Sequence, residues 1–184
     1  PVRGGRKARG SGAIAPWRGR RCRVTLSRLG SAAEVSLANQ QAASACVMLV
    51  EDDDSDAFLF ENVLGEVAPD AEFRRMTRAE DAISALRDGD SHANCIVLDL
   101  RLRGQDGLWL LDQLLADPAL KATPVVVFSG DPGRMERASS AFSNVVSSVR
   151  KPDTVEEYQT ALHIVVAVLR AALARRGIDA GAGA

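Results

Sequence analysis

The sequence predicts an α/β protein with a doubly wound, five-stranded parallel sheet and helices on both faces. Two observations lead to this fold class. Five short apolar runs alternate with amphipathic segments between residues 46 and 176, which is the pattern of successive strand–helix units. Three of these runs are apolar throughout, as expected for parallel strands that helices cover on both faces.

The elements follow from local patterns along the chain. The run CVMLV at residues 46–50 predicts the first strand, and the β-branched run PVVVF at residues 124–128 predicts the fourth. The strands are predicted at residues 46–50, 73–76, 95–98, 124–128 and 145–149, of which the second is the weakest pattern. The helices are predicted at residues 54–63, 79–87, 107–116, 133–142 and 155–176.

The last helix is long enough to extend past the sheet. Asp153 or Thr154 can cap its start, and Arg175 and Arg176 lie in its last turn. A helix of about 22 residues spans roughly 33 Å, whereas a five-residue strand spans about 17 Å. We therefore expect the apolar far end of the helix to pack against a partner. Our hypothesis is that the chain forms a homodimer through this helix. The apolar residues of that end are Val168, Leu169, Ala172 and Leu173.

Trp109 is a second candidate for a partner surface. A stripe of leucines in the helix predicted at residues 107–116 leaves this tryptophan toward its margin. An exposed tryptophan often anchors an interface. The equally favoured alternative is a tryptophan folded against the surface of its own chain.

The net charge of −1 hides two segments of opposite sign. Residues 1–45 carry nine basic side chains and one acid, so they sum to +8 and residues 46–184 sum to −9. The first segment has no sustained period, which predicts a disordered basic extension or translated sequence outside the functional protein. Nucleic-acid binding by this arm is less favoured, because it contains no recognisable module. The folded domain is predicted at residues 46–172, its last helix to about residue 176, and a flexible tail at residues 177–184.

Composition excludes several classes of protein. The hydrophobic fraction of 46% is ordinary for a globular protein, and three cysteines without a CxxC pattern favour neither a disulfide framework nor a structural zinc site. The longest apolar stretch, around residues 161–174, is too short to cross a bilayer, and the first residues lack the apolar segment of a secretory signal. We therefore expect a cytoplasmic protein with reduced thiols and no membrane partner.

Acidic, hydroxyl and basic side chains follow four of the five predicted strands. Residues 51–54 (EDDD) follow the first strand, Asp99 the third, Ser129 the fourth and Lys151 the fifth. Right-handed crossovers bring the carboxyl ends of parallel strands to one edge of the sheet, so a shared site is predicted there. Clustered carboxylates suit Mg²⁺, and a carboxylate can act as a nucleophile toward phosphorus. Lysine and serine can stabilise a transferred phosphoryl group.

These segments resemble the receiver domain of two-component response regulators over residues 46–169. The matching motifs are VMLVEDD at residues 47–53, IVLDLRL at 96–102, VVVFSG at 125–130 and RKP at 150–152. The resemblance implies a flavodoxin-like, CheY-like fold in a regulator of the single-domain type. It also implies a histidine kinase or histidine phosphotransfer protein as partner, and an output by protein–protein contact.

The resemblance assigns roles to the residues of the site. Asp99 would accept the phosphoryl group, which Ser129 and Lys151 would contact. The Mg²⁺ ligands that it implies are Glu51, Asp52, Asp99 and the backbone carbonyl of Arg101. Asp53 leaves the register of the acidic pair slightly ambiguous. The peptide bond between Lys151 and Pro152 is cis in this family and is expected to be cis here.

Three positions depart from the pattern of the family. Arg103 stands where proline is usual, which we expect to loosen the loop after Asp99. Ser148 stands where an aromatic switch residue is usual, which puts the coupling of the hydroxyl to an aromatic rotamer in doubt. Arg101 lies two residues after the acceptor, where it is placed to tune the lifetime of the phosphorylated state.

Two other functions stay open on the sequence alone. A receiver-like adapter that does not use phosphate is one, although intact Asp99, Ser129 and Lys151 argue against it. A phosphatase with an aspartyl nucleophile is the other. Haloacid-dehalogenase-like enzymes carry a second aspartate two residues after the nucleophile, where this chain has Arg101. We therefore expect catalysis to be limited to phosphorylation and dephosphorylation of the chain's own aspartate.

Overall fold

Five parallel strands form one sheet at the centre of the computed structural model, which describes residues 45–89 and 91–181. The strands are β1 (Cys46–Val50), β2 (Glu72–Met76), β3 (Cys95–Leu98), β4 (Val125–Ser129) and β5 (Val145–Arg150). Their spatial order is β2-β1-β3-β4-β5, and every neighbouring pair is parallel. The doubly wound parallel sheet that the sequence predicts is confirmed.

Helices follow each strand and cover the two faces of the sheet. They are α1 (Asp54–Val67), α2 (Ala79–Arg87), α3 (Gly107–Ala116), α4 (Pro132–Ala141) and α5 (Val155–Gly181). Helices α2, α3 and α4 pack on one face, whereas α1 and α5 pack on the other. Among the described residues, none of the helices combines the length and the apolar character that crossing a bilayer requires.

The central strands are buried on both faces because successive side chains enter opposite cores. Met48 and Val50 of β1 pack with α2 and α3, whereas Val47 and Leu49 pack with α1 and α5. Every residue of β1, β3 and β4 is buried, whereas the edge strands β2 and β5 are partly exposed. Continuous apolar runs in the sequence therefore mark the central strands.

The end predicted for the last helix is wrong. Helix α5 continues to Gly181, so part of the tail expected at residues 177–184 is helical. A single glycine such as Gly177 inside a helix costs only about 1 kcal/mol relative to alanine, which does not end a helix of this length. The basic extension predicted at the N-terminus lies outside the described residues, apart from Ala45.

The predicted partner surface on α5 needs a correction at Leu169. Its side chain is only 3% exposed, because it packs into the core between α1, α5 and the sheet. Val168 and Leu173 are partly buried against the same core. Trp109 is partly buried as well and packs against the core between α2, α3 and the sheet, which fits the alternative of a tryptophan folded against its own chain.

Gly107 allows the start of α3 to lie directly against the end of β3. A Cβ atom at this position would come within 2.5 Å of the carbonyl oxygen of Asp99 and 2.8 Å of the Leu100 Cα atom. Both neighbours are backbone atoms, which cannot rotate away as a side chain can. The Gly107 amide also donates to the Leu100 carbonyl at 3.3 Å. This close approach fixes α3 next to the end of the strand.

We expect the substitution Gly107→Ala to lower the free energy of unfolding by about 1–3 kcal/mol, because the added methyl group overpacks a rigid backbone contact. Denaturant unfolding followed by circular dichroism measures the change. Gly65→Ala is the matched control, since Gly65 lies in α1 and a Cβ atom there would meet no neighbour within 4 Å. The free energy of unfolding of Gly65→Ala should rise by about 0.5–1 kcal/mol, because alanine has a higher helix propensity than glycine. Equal stability of the two variants would contradict the close approach at Gly107.

Candidate functional site

Backbone hydrogen bonds continue past the ends of the strands and hold the residues of the site in register with the sheet. The bonds run from Glu51 N to Met76 O at 2.9 Å, from Asp99 N to Val50 O at 3.0 Å and from Lys151 N to Ser129 O at 3.1 Å. Each bond joins a residue just after one strand to the end of a neighbouring strand. The carboxyl edge of the sheet therefore sets the backbone positions of the site, as the sequence predicts.

The Lys151 ammonium group lies among three carboxylates. Its Nζ atom is 2.7 Å from Glu51 Oε2, 2.7 Å from Asp56 Oδ2 and 2.9 Å from Asp99 Oδ2. Asp56 is a member of the site that the sequence reasoning misses. The available signal is its place in the first turn of the helix that leaves β1, since the N-terminus of that helix lies at the carboxyl edge of the sheet.

Asp53 caps α1, which removes the ambiguity in the acidic run. Its Oδ1 atom accepts hydrogen bonds from the amides of Ser55 at 2.8 Å and Asp56 at 3.1 Å, and these bonds lower the pKa of the Asp53 carboxyl. The acids that approach Asp99 are Glu51 and Asp52. Capping by Asp53 also fixes where the first turn of α1 begins, and hence where Asp56 lies.

Glu51, Asp52 and Asp99 form a group of oxygen donors that fits a hard divalent cation. One carboxylate oxygen from each lies within 4.8 Å of the others. Carboxylate oxygens are ligands that Mg²⁺ uses, with water filling several of its remaining positions. Glu51 is 2% exposed and Asp99 6% exposed, so two of the three donors are already removed from bulk water. The residues present therefore fit the predicted cation.

Burial and the central lysine shape the electrostatics of the site. Burial raises the pKa of Glu51, and the hydrogen bond from Lys151 opposes this effect. Burial also acts to lower the pKa of Lys151, but its hydrogen bonds to Asp56, Glu51 and Asp99 outweigh burial and raise it. Lys151 is therefore a stable ammonium ion around neutral pH, and it offsets part of the acidic charge.

Asp99 supplies the site with a carboxylate that can accept a group, and Ser129 supplies a hydroxyl that can donate a hydrogen bond. The Asp99 Oδ1 atom accepts a hydrogen bond from the Arg101 amide at 3.1 Å, while Oδ2 contacts Lys151. Ser129 is fully buried, and within the described residues its Oγ atom has no hydrogen-bond partner. A buried hydroxyl without a partner is unusual and suits an oxygen acceptor brought by a ligand.

The expectation of a cis bond before Pro152 is wrong. Every peptide bond in the described part of the chain is trans, that between Lys151 and Pro152 included. Other contacts direct the Lys151 side chain into the site. Its amide is hydrogen-bonded to Ser129 O, and its ammonium group is attracted by three carboxylates.

The structure gives contacts to two of the positions that depart from the family pattern. Arg103 Nε lies 3.0 Å from Asp52 Oδ2, so the loop residue in place of proline contacts one of the acids of the site. Ser148 Oγ lies 2.7 Å from Ser139 Oγ, which joins β5 to α4 by a hydrogen bond instead of by aromatic packing. The sequence could not predict either contact, because both depend on side-chain rotamers.

A second group of potential ligands lies at the opposite edge of the sheet. Atoms of Cys46, Glu72 and His92 come within 4.8 Å of one another, although the residues are far apart in the chain. Burial raises the pKa of the Cys46 thiol to about 11, so the thiol stays protonated around neutral pH. Arg74 also forms an ion pair with Glu72 at 2.7 Å. In the described part of the chain, this group holds a buried thiol beside an ion pair.

Comparisons with known proteins agree with this fold. The phosphorylated cyanobacterial phytochrome response regulator RcpA is 25% identical, with a TM-score of 0.60 over 65% of this chain and 89% of that chain. The Mn²⁺-bound form of response regulator Rcp1 is 27% identical, with a TM-score of 0.56 over 62% of this chain and 89% of that one. A putative response regulator from Chloroflexus aurantiacus shares the fold, with 24% identity and a TM-score of 0.58 over 68% of this chain and 97% of that one.

The family comparison covers most of the described fold. None of the curated proteins compared with the chain matches it. The model of the response regulator receiver domain matches residues 47–163, a range that runs from β1 into α5 and includes all the acids of the site, Ser129 and Lys151. The chain therefore belongs to the response regulator receiver domain family.

Proposed function

We propose that Asp99 accepts a phosphoryl group from a histidine kinase or a histidine phosphotransfer protein, and that the phosphorylated chain acts by binding another protein. The contact of Lys151 Nζ with Asp99 Oδ2 at 2.9 Å carries the proposal. It joins a poorly exposed carboxylate to a fixed positive charge at the carboxyl edge of a parallel sheet. Receiver domains generally serve signalling, and they interact with such kinases and phosphotransfer proteins.

The proposed transfer uses side chains at the carboxyl edge of the sheet. An oxygen of Asp99 attacks phosphorus, and an O–P bond forms while the P–N bond to the histidine of the donor breaks. The imidazole keeps the electron pair of that bond and takes up a proton. Lys151 offsets charge on the phosphoryl oxygens, and the Ser129 hydroxyl donates a hydrogen bond to one of them. Attack of water on phosphorus later releases inorganic phosphate and restores the carboxylate.

Mg²⁺ is the proposed cofactor of this transfer. Glu51, Asp52 and Asp99 would hold it, with the Arg101 carbonyl as a further ligand. When bound, the ion supplies positive charge that neutralises phosphoryl oxygens. The donor set supports this assignment, and a structurally similar regulator, Rcp1, is known in a Mn²⁺-bound form.

Acetyl phosphate with Mg²⁺ tests the acceptor directly. We expect intact-protein mass spectrometry to show one added phosphoryl group, and Asp99→Ala to lack it. Asp112→Ala is the control, because Asp112 is an exposed acid on α3 away from the site, and it should be modified as the parent chain is. Absence of an adduct on the parent chain would favour the phosphorylation-independent adapter. An adduct that persists in Asp99→Ala would show that another residue is the acceptor.

Thermal unfolding tests the metal site independently of phosphorylation. A cation that binds only the folded chain stabilises it by about 1.4 kcal/mol at ten times its Kd. We therefore expect Mg²⁺ to raise the unfolding midpoint of the parent chain, and Asp52→Asn to abolish most of that rise. Asp70→Asn removes an exposed acid elsewhere and should keep the rise. An equal rise in Asp52→Asn would contradict the assignment of Asp52.

The proposed output surface is the exposed apolar side of α5, where a second copy of the chain would pack. Ile164 is 40% exposed, and Val146 of β5 is 48% exposed next to it in a groove of about 860 Å³. The acidic first turn of α5, with Glu156 and Glu157, and exposed Arg175 near its other end make an antiparallel pair of α5 helices complementary in charge. The proposed interface therefore contains the accessible residues Ile164 and Val146 and leaves out Leu169, which is buried.

Sedimentation velocity tests the dimer. We expect a concentration-dependent monomer–dimer equilibrium at micromolar concentration, which Ile164→Asp shifts at least tenfold toward monomer by burying a charge in the interface. Phe58→Asp is the matched control, since Phe58 is 69% exposed on α1 and lies outside the groove. A parent chain that stays monomeric, or equal effects of the two substitutions, would rule out this interface.

A further inference from the structure

Arg103 forms an ion pair with an acid of the proposed metal site. Its Nε atom lies 3.0 Å from Asp52 Oδ2, within the distance of an ion pair. The Arg103 side chain is 87% exposed, whereas that of Asp52 is 15% exposed. The cation thus reaches in from solvent, from the loop between β3 and α3, to a carboxylate that is mostly covered.

The acids of the site divide between two cations. Within the described residues, the ion pairs of Lys151 are with Glu51, Asp56 and Asp99, whereas the ion pair of Asp52 is with Arg103. Lys151 belongs to a partly buried network of several bonds, which is costly to break. Arg103 makes a single exposed ion pair, which can be broken at little cost.

We infer that Arg103 competes with the divalent cation for Asp52 and so weakens Mg²⁺ binding by this chain. The inference rests on the proposed metal site. The guanidinium group lies against the Asp52 Oδ2 atom, so an ion that takes this oxygen has to displace Arg103, and an ion bound through Oδ1 lies next to the charge of Arg103. The displaced arginine stays tethered to the same loop and repels the bound ion, because both carry positive charge.

The expected size of the effect follows from the exposure of the pair. An exposed ion pair, together with the repulsion between like charges screened by water, changes an equilibrium by about three- to tenfold. Salt screens such interactions with a length of about 10 Å at 0.1 M and about 3 Å at 1 M. The effect of Arg103 should therefore shrink as ionic strength rises, whereas the contribution of the Asp52 ligand itself should persist.

Isothermal titration calorimetry of the full chain with Mg²⁺, at constant low ionic strength, tests the inference without any phosphoryl donor. We expect Arg103→Gln to lower the Kd for Mg²⁺ by about three- to tenfold. Arg137→Gln is the control, because it removes the same charge from an exposed position on α4 and should leave the Kd nearly unchanged. Arg103→Lys keeps the charge without the planar guanidinium, so its Kd should stay closer to that of the parent chain. The gap between Arg103→Gln and the parent chain should narrow at high salt.

The outcomes separate this inference from the metal site on which it rests. Binding that needs Asp52 but is the same in Arg103→Gln and in the parent chain overturns the role of Arg103 alone. An equal gain in Arg137→Gln also overturns it, since net charge would then explain the effect. Absence of Mg²⁺ binding in both the parent chain and Arg103→Gln overturns the proposed metal site and the inference together. Binding by Arg103→Gln that the parent chain lacks supports the inference.

Discussion

The rest of the site depends on the ion pairs between the Lys151 ammonium group and three carboxylates. The parallel sheet brings the ends of β1 and β3 side by side, and with them the carboxylates of Glu51 and Asp99, both nearly excluded from solvent. Carboxylates this close repel each other, and the repulsion grows as water is removed. A lysine that contacts both, and Asp56 as well, allows the three acids to stay together.

The backbone holds these charges in place. Amides just past three strands donate to neighbouring strand ends, so the residues that follow the strands inherit the spacing of the sheet. Gly107 lets α3 approach the carbonyl of Asp99, and Asp53 sets the first turn of α1. The side chains of the site then lie close enough to contact one another. Because the same bonds maintain the sheet and the site, a change that loosens one should also loosen the other.

The parts of the molecule that the sequence could predict are those set by periodicity and strand order. Continuous apolar runs locate the buried strands, and the residues after them locate Asp99 and Lys151 at one edge. Asp56 escapes this reasoning because it lies in the first turn of α1, past the residues that directly follow the strand. Leu169 is predicted on a partner surface, yet it is buried because α1 packs along α5 in the same chain. The packing between helices depends on contacts that the local pattern does not encode.

Two cations of different character therefore serve one acidic site. Lys151 is 18% exposed and bound to three acids, so moving it would leave buried carboxylates without a counter-charge. Arg103 is 87% exposed and bound to one, so it can leave at little cost. A cation that enters from solvent meets Arg103 at Asp52, whereas at Glu51 and Asp99 it meets carboxylates that Lys151 already contacts. Arg103 thus lies where a substitution can change ion affinity without disturbing the sheet, whereas Lys151 does not.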